Sequence, residues 1–304
     1  MNSILVSGSL AYDYLYTFLG DFKSEILPGE GSLSVAFNVT DKTVNFGGCA
    51  GNIVFNGKLL GEDFVLLGIA GHDFEPYQKW LTKNKIDCSN VMVEESDYTA
   101  QASVVTDKKG QQITFFYEGA AARSAGRVNS IKSTIRNLEK IKFAIVSPNN
   151  REFMLATIAG CQAAKIPYFF DPGQAMPLFS PNELLQIVNA ASGVFLNEYE
   201  FGMLQKQLKL KTDEILRLCP LLIVTLGENG STVYFGENQI KVPTQKVKTL
   251  DPTGCGDAYR AGFLAGIKDS FPNLTQSILE EAGKLGTKLA VACLSGVGTQ
   301  NHKL

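Results

Sequence analysis

Short apolar, β-branched runs alternate with longer amphipathic stretches along most of this chain, and that alternation limits its fold more than any other feature does. Residues 4–6, 64–69, 143–146, 168–170, 194–196 and 221–225 read as buried strands. Between them, 52–60, 75–83, 130–138, 152–164, 181–190 and 198–207 read as helices. The pattern predicts an α/β fold: a doubly wound, mostly parallel sheet with helices on both faces. Ligands of such sheets bind beyond the C-terminal strand ends, where loops meet helix N-termini. Those loops carry the functional reading.

Two regions depart from the alternation. Residues 32–39, and the pair 100–106 and 112–117, read as antiparallel β-structure, the pair joined by a hairpin turn at Asp107-Lys108-Lys109-Gly110. They predict a small β-sheet lid, formed by segments of about 14–45 and 97–120, projecting from a single domain that takes in residues 1–304. An edge extension of the main sheet is the plainer alternative. No internal repeat or low-complexity linker divides the chain, and 304 residues at 45% hydrophobic suffice for one large core.

Charge and cysteine usage exclude several function classes. With 28 basic and 30 acidic residues the net charge is −2, so no basic excess marks a nucleic-acid or anionic-membrane surface. A small-molecule partner fits better. The six cysteines, at 49, 88, 161, 219, 255 and 293, form no CxxC pair, and His72 and His302 are the only histidines. A zinc site needs clustered ligands, and a Ser-His-Asp or Cys-His centre needs a histidine base, so both are disfavoured. Scattered cysteines fit reduced thiols and a cytoplasmic location. The start, MNSILVSGSLAYDYLY, lacks a basic region and reads as a first strand rather than a signal peptide. No apolar run is long enough to predict a membrane span.

Asp251-Pro252-Thr253-Gly254-Cys255-Gly256-Asp257-Ala258, followed by helical spacing over 259–268, is the sharpest local feature. Glycines bare the backbone where a helix begins, and successive N–H groups with the helix dipole make an anion site. A carboxylate beside such a site needs a task, such as taking a proton from a hydroxyl that attacks phosphorus. The plain alternative is an Asp cap with glycines easing a turn. The helix is rich in small residues (Ala258, Ala261, Gly262, Ala265, Gly266) that suit close packing on a sheet. There is no GxxxxGK[ST] motif and no GxGxxG after the first strand, which argues against P-loop and dinucleotide folds.

Three further segments carry candidate ligand groups. Phe46-Gly47-Gly48-Cys49-Ala50-Gly51-Asn52 offers backbone approach and, at Asn52, a donor and an acceptor for a hydroxyl, while Asp13, after the first strand, suits a vicinal diol. Asn197-Glu198-Tyr199-Glu200 follows a strand, where a carboxylate suits magnesium held through water. Equally, its glutamates simply favour a helix start. Thr225-Leu226-Gly227-Glu228-Asn229-Gly230 reads as a turn or as a backbone edge against a nucleotide.

In this order, the four segments resemble those of the ribokinase-like (PfkB) family of sugar and nucleoside kinases, over essentially the whole chain. Residues 251–257 are similar to the family's C-terminal signature, departing from it at Pro252 and Cys255. The resemblance implies that Asp257 is the catalytic base and that Gly254, Cys255 and Gly256 form the anion hole. It implies that Gly48 and Asn52, with Asp13, contact the sugar. Asn197, Thr225, Gly227 and Gly230 would bind ATP, and Glu200 of the N-x-x-E motif would organise Mg2+ through water. Arg123, at the end of the lid segment, is a candidate for added positive charge near the phosphates.

Where ribokinases usually carry lysine in the glycine motif, this chain has Cys49, which argues against free ribose. The strings GSLAYD, FGGCAGN, FDPGQ and DPTGCGDAYR look most like bacterial and archaeal nucleoside kinases of the adenosine-kinase type. That resemblance implies ATP-dependent phosphorylation of the 5′-hydroxyl of a purine nucleoside, adenosine first, with the base sandwiched by lid residues. Tyr12, Tyr14, Phe37, Phe115, Phe116 and Tyr117 lie in or near the lid, where ordinary β-packing is the competing use. A kinase of a free sugar or sugar phosphate, and a nucleoside-binding regulator without catalysis, are the alternatives. The sequence leaves open activation by a monovalent cation (K+) and the choice between monomer and homodimer.

Overall fold

The computed structural model describes residues 3–26, 35–126, 138–247 and 250–304. The chain begins with β1 (Ser3–Ser7), β2 (Ala11–Thr17), α1 (Phe22–Glu25), β3 (Asp41–Gly47), α2 (Cys49–Leu59), β4 (Val65–Gly71), α3 (Glu75–Lys83) and β5 (Val91–Glu94). It continues through β6 (Ala100–Thr106), β7 (Gln112–Tyr117), β8 (Ile141–Val146), α4 (Arg151–Ala164), β9 (Tyr168–Phe170), α5 (Pro181–Ala190), β10 (Gly193–Asn197) and α6 (Glu198–Leu208). It ends with α7 (Thr212–Leu218), β11 (Leu221–Thr225), β12 (Ser231–Phe235), β13 (Asn238–Val242), α8 (Cys255–Ile267) and α9 (Gln276–Cys293).

Strand alternation splits the core into two layers. In β1, Ile4 and Val6 face a cluster that includes Ile53 of α2, Leu81 of α3, Phe263 of α8 and Leu289 of α9. Leu5 faces the opposite cluster, which includes Phe153 and Met154 of α4, Leu184 of α5 and Ile215 of α7. The sheet between them has the order β13-β12-β11-β10-β9-β8-β1-β4-β5. It is parallel from β11 to β5, and β12 and β13 extend one edge antiparallel. The α/β, mostly parallel architecture is as the alternation predicts. Chain order reverses between β1 and β8, which puts a crevice at their C-terminal ends. There Ser9 N–H donates to the Pro148 carbonyl (3.0 Å) and Ala50 N–H to the Ser9 carbonyl (3.1 Å), tying the start of α2 to the loop after β1.

A second sheet has the order β3-β2-β6-β7. The hairpin β6–β7 turns at Gly110, whose φ is +76°. Several expectations change here. The first apolar stretch is two strands rather than one: β1 enters the main sheet and β2 the small one, so Asp13 follows the first strand but sits within the second rather than in a loop. Residues 35–39 form no strand; β3 starts at Asp41, and 32–34 lie outside the described residues. The helix expected over 130–138 lies outside them up to 137. Helix α8 starts at Cys255 because Gly254 supplies its cap, and Gly262 and Gly266 meet α9 rather than the sheet.

Candidate active site

Gly254 caps α8 with φ +80°, and a Cβ there would lie 2.8 Å from Thr299 Cγ2, so conformation and space both demand glycine. Asp251 braces the loop before it: Oδ1 accepts from Thr253 N–H (2.9 Å) and Oδ2 from Gly298 N–H (3.0 Å). The first turn of a helix leaves N–H groups without intrahelical acceptors. Of the three expected hole residues, Cys255 partly turns its N–H to the Pro252 carbonyl at a long 3.4 Å. Gly256 has a second role, since a Cβ on it would lie 2.7 Å from Arg260 Nη1.

Asp257 stands in that first turn, and its Oδ2 accepts from Asn52 Nδ2 at 2.8 Å. Burial pushes its pKa up to about 6, and the nearby Asp171 adds to that. The Arg260 guanidinium, the Asn52 amide and the Cys49 thiol work against the rise. The carboxylate is therefore mostly ionised at neutral pH, although burial has moved it well above its ordinary range. Arg260 itself binds Asp171 in a fork, at 2.6 Å (Nη2 to Oδ1) and 2.5 Å (Nε to Oδ2).

Across the crevice, Asn197 and Glu200 cap α6 reciprocally: Asn197 Oδ1 accepts from Glu200 N–H and Glu200 Oε2 from Asn197 N–H, both at 2.8 Å. Burial raises the Glu200 carboxyl. Thr225 ends β11, and Gly227 and Gly230 follow with φ of +57° and +84°. A Cβ on Gly230 would collide with the Val242 carbonyl at 2.1 Å. Asn197, Glu200, Thr225, Gly227 and Gly230 line one cavity of about 760 Å³ together with Gly254, Cys255, Gly256 and Asp257. That volume is within the range of small-molecule sites.

Asp13, Gly48 and Asn52 do not line this cavity. Asn52 reaches it through Asp257. Gly48 (φ +84°) lets the chain pass the Ser9 carbonyl, which a Cβ would meet at 2.5 Å. Asp13 pairs in register with Asn45 on β3, and burial, aided by Asp251, holds its pKa at about 6. Arg123 is paired with Asp97 (2.5 Å) and is not among the residues that line this cavity. Among the aromatics expected in or near a lid, Tyr12 is buried against Phe46 and Tyr77, and Phe37 packs on Phe18 and Phe22. Phe115, Phe116 and Tyr117 on β7 are 66%, 60% and 42% exposed, and the Tyr117 hydroxyl donates to Asp97 Oδ1. Sequence reasoning assigned no role to Arg260, Asp171, Trp80 or Gln300. The first two stand in the FDPGQ and DPTGCGDAYR segments, but their pairing spans 89 residues and has no local signal.

The profile of the pfkB family carbohydrate kinases matches residues 10–304. A nucleoside kinase of Methanocaldococcus jannaschii is 32% identical over 310 residues, covering 99% of this chain and 93% of that protein. Its crystal structure, described as an archaeal member of the ribokinase family, superposes with a TM-score of 0.86 at 29% identity, covering 100% of this chain and 95% of the other. The Burkholderia thailandensis nucleoside kinase, ligand-free, superposes with a TM-score of 0.85 at 32% identity (99% and 97% covered). That enzyme has also been solved with inosine and with ADP-inosine. A probable fructokinase of Arabidopsis thaliana is 26% identical over 305 residues, 95% of this chain and 92% of that protein. Fold, site and match over nearly the whole length agree: this chain belongs to the pfkB family of carbohydrate kinases, phosphotransferases that act on a hydroxyl group.

Proposed function

We propose that this protein transfers the γ-phosphoryl group of ATP to the 5′-hydroxyl of a purine nucleoside, adenosine first. The observation that carries this reading is the hydrogen bond from Asn52 to Asp257. It joins the segment expected to hold the ribose to the carboxylate expected to act as base, at the edge of a cavity lined by the segments expected to hold ATP. The nucleoside kinase relatives, one of them solved with inosine, support a nucleoside acceptor and ATP as donor.

On this reading Asp257 takes the proton of the 5′-hydroxyl as its oxygen attacks the γ-phosphorus, and the bond to the β-bridging oxygen breaks to release ADP. The α8 N-terminus, through Gly254, Cys255 and Gly256, stabilises charge growing on the phosphoryl oxygens. Asp13, Gly48 and Asn52 fix the ribose, positioning that supplies roughly 7–11 kcal/mol of a barrier in favourable cases. Asn197, Thr225, Gly227 and Gly230 hold the nucleotide. The small sheet acts as a lid that excludes water.

Among the described residues no group of three or more acidic, histidine or cysteine side chains is placed to hold a metal directly. Glu200 already spends Oε2 on the Asn197 backbone. Glu200 would hold, through water, a magnesium ion bound with the nucleotide, since a single carboxylate with one oxygen engaged suits an ion that keeps much of its hydration shell. Its chemistry, when bound, is neutralisation of phosphate charge.

The test is ADP release from ATP and magnesium with adenosine, inosine, guanosine, ribose and fructose in parallel, and Asp257→Asn as blank. Turnover with nucleosides, lost in the variant, is expected. In the wild type the rate should fall as pH drops through about 6, where Asp257 takes up its proton. Turnover with free sugars alone would overturn the substrate, and an active Asp257→Asn would overturn the base.

A further inference from the structure

A chain of hydrogen bonds runs from an indole to Asp257, and its direction is fixed at both ends. Trp80 Nε1–H, which only donates, gives its proton to Gln300 Oε1 at 3.1 Å. The Gln300 nitrogen must then point the other way, where it donates to the Tyr77 hydroxyl (2.6 Å) and to Asn52 Oδ1 (3.1 Å). Tyr77 spends its single proton on the Gly47 carbonyl (2.8 Å), so toward Gln300 it only accepts. That is a second, independent constraint giving the same Gln300 orientation. With Oδ1 engaged, Asn52 turns its amide nitrogen to the Asp257 carboxylate.

The surroundings are built for this path. Gln300, Tyr77 and Asn52 are 2%, 0% and 4% exposed, so water does not substitute for a lost partner. A Cβ on Gly51 would lie 1.9 Å from the Tyr77 hydroxyl and 3.0 Å from Gln300 Nε2. The glycine of the sugar-contacting motif therefore makes room for the relay rather than for a ligand. The C-terminal tail has other anchors besides Gln300: Thr299 Oγ1 donates to the Phe46 carbonyl (3.0 Å), and His302 Nε2 pairs with Asn56 Oδ1 (2.8 Å).

We propose that Gln300, backed by Trp80, is a positioning residue for phosphoryl transfer: it holds the Asn52 amide in the one orientation that donates to Asp257. This rests on the reading of Asp257 as the base. If Gln300 cannot donate, Asn52 is free to rotate and present its oxygen to the carboxylate. Asp257 then loses a bond that favours its charged form and holds its proton to higher pH.

The experiment is the pH profile of kcat from pH 5 to 9 for wild type, Gln300→Leu and Trp80→Phe, with thermal melts of each. For Gln300→Leu the acid limb should move up by about one pH unit, the order expected for losing a hydrogen bond to a charged group. That is a loss of about fivefold at pH 6, approaching tenfold toward pH 5 and shrinking toward pH 8.5. Trp80→Phe keeps a ring stacked on Phe46 but removes the orienting donor, and should move the limb the same way by less. A limb that stays in place while kcat falls equally at every pH is what a merely structural role gives, and overturns the proposal. Should Gln300→Leu fail to fold, the Trp80→Phe limb decides on the same terms. Asp257→Asn separates the two readings: if it is active the base assignment fails, whereas an inactive Asp257→Asn beside unshifted limbs removes the relay alone.

Discussion

Arg260 is 7% exposed and its partner Asp171 1% exposed, so the fork between them sits out of water beside Asp257. Breaking a buried pair by neutralising one member leaves the other charge uncompensated, at a cost of about 3–5 kcal/mol. Asp171→Asn should therefore lower the melting temperature clearly. Its effect on the reaction has a definite sign. Asp171 raises the Asp257 carboxyl and Arg260 lowers it, so removing the first and freeing the second both favour ionised Asp257. The acid limb of kcat should move to lower pH, opposite to the move expected for Gln300→Leu. A profile unchanged or shifted upward would mean that Arg260 and Asp171 serve only the fold.

At the scale of elements, α8 is useful only if its N-terminus is held in place, and α9 does much of the holding. A Cβ on Gly262 would lie 2.7 Å from the Gly286 Cα, and one on Gly266 2.7 Å from the Ala282 Cα. Backbone cannot swing aside as a side chain does, so Gly262→Ala should cost about 1–3 kcal/mol through overpacking. Gly202, inside α6 with nothing within 4 Å, is the control: Gly202→Ala should gain about 0.5–1 kcal/mol from helix propensity. Chemical denaturation of the two variants checks both signs. The same contrast explains what the sequence made legible. Helix α5 was read to the residue because Pro181 and the Ser180–Glu183 capping box mark its start locally. The hairpin strands β6 and β7 and the buried strands β9 and β11 were also read with their bounds, because turns and apolar runs delimit them. The glycine loops and Asp257 were legible as motifs. What was not legible depends on contacts between distant residues. The division of the first stretch between two sheets is one case, since Gly8–Leu10 is a break only when β2 finds β6. The partners of Asn52 are another, because Gln300 lies 248 positions away.

For the whole molecule, the burial of Asp257 predicts a cost to the fold. Asp13 and Asp257 both carry pKa values of about 6, raised chiefly by burial. A carboxyl whose folded pKa is raised binds its proton more tightly in the native state than in the unfolded chain. Folding at pH 7.5 therefore pays for keeping Asp257 ionised, and that penalty is relieved as pH falls through 6 toward the ordinary carboxylate value. A rise from that value to about 6 corresponds to about 3 kcal/mol. Asp257→Asn removes the charge but keeps an oxygen that accepts from Asn52. It should be more stable than the wild type at pH 7.5 by up to that amount, with the gain shrinking below pH 6 and nearly gone by pH 4. Melting both proteins across this range measures the difference directly, with no substrate present. A variant equal to or weaker than the wild type at pH 7.5 would show that Arg260 and Asn52 already balance the burial of Asp257. A stabilisation constant across pH would trace to packing. A gain that follows the protonation of Asp257 would mean that this fold carries the Asp257 carboxylate at the expense of its own stability.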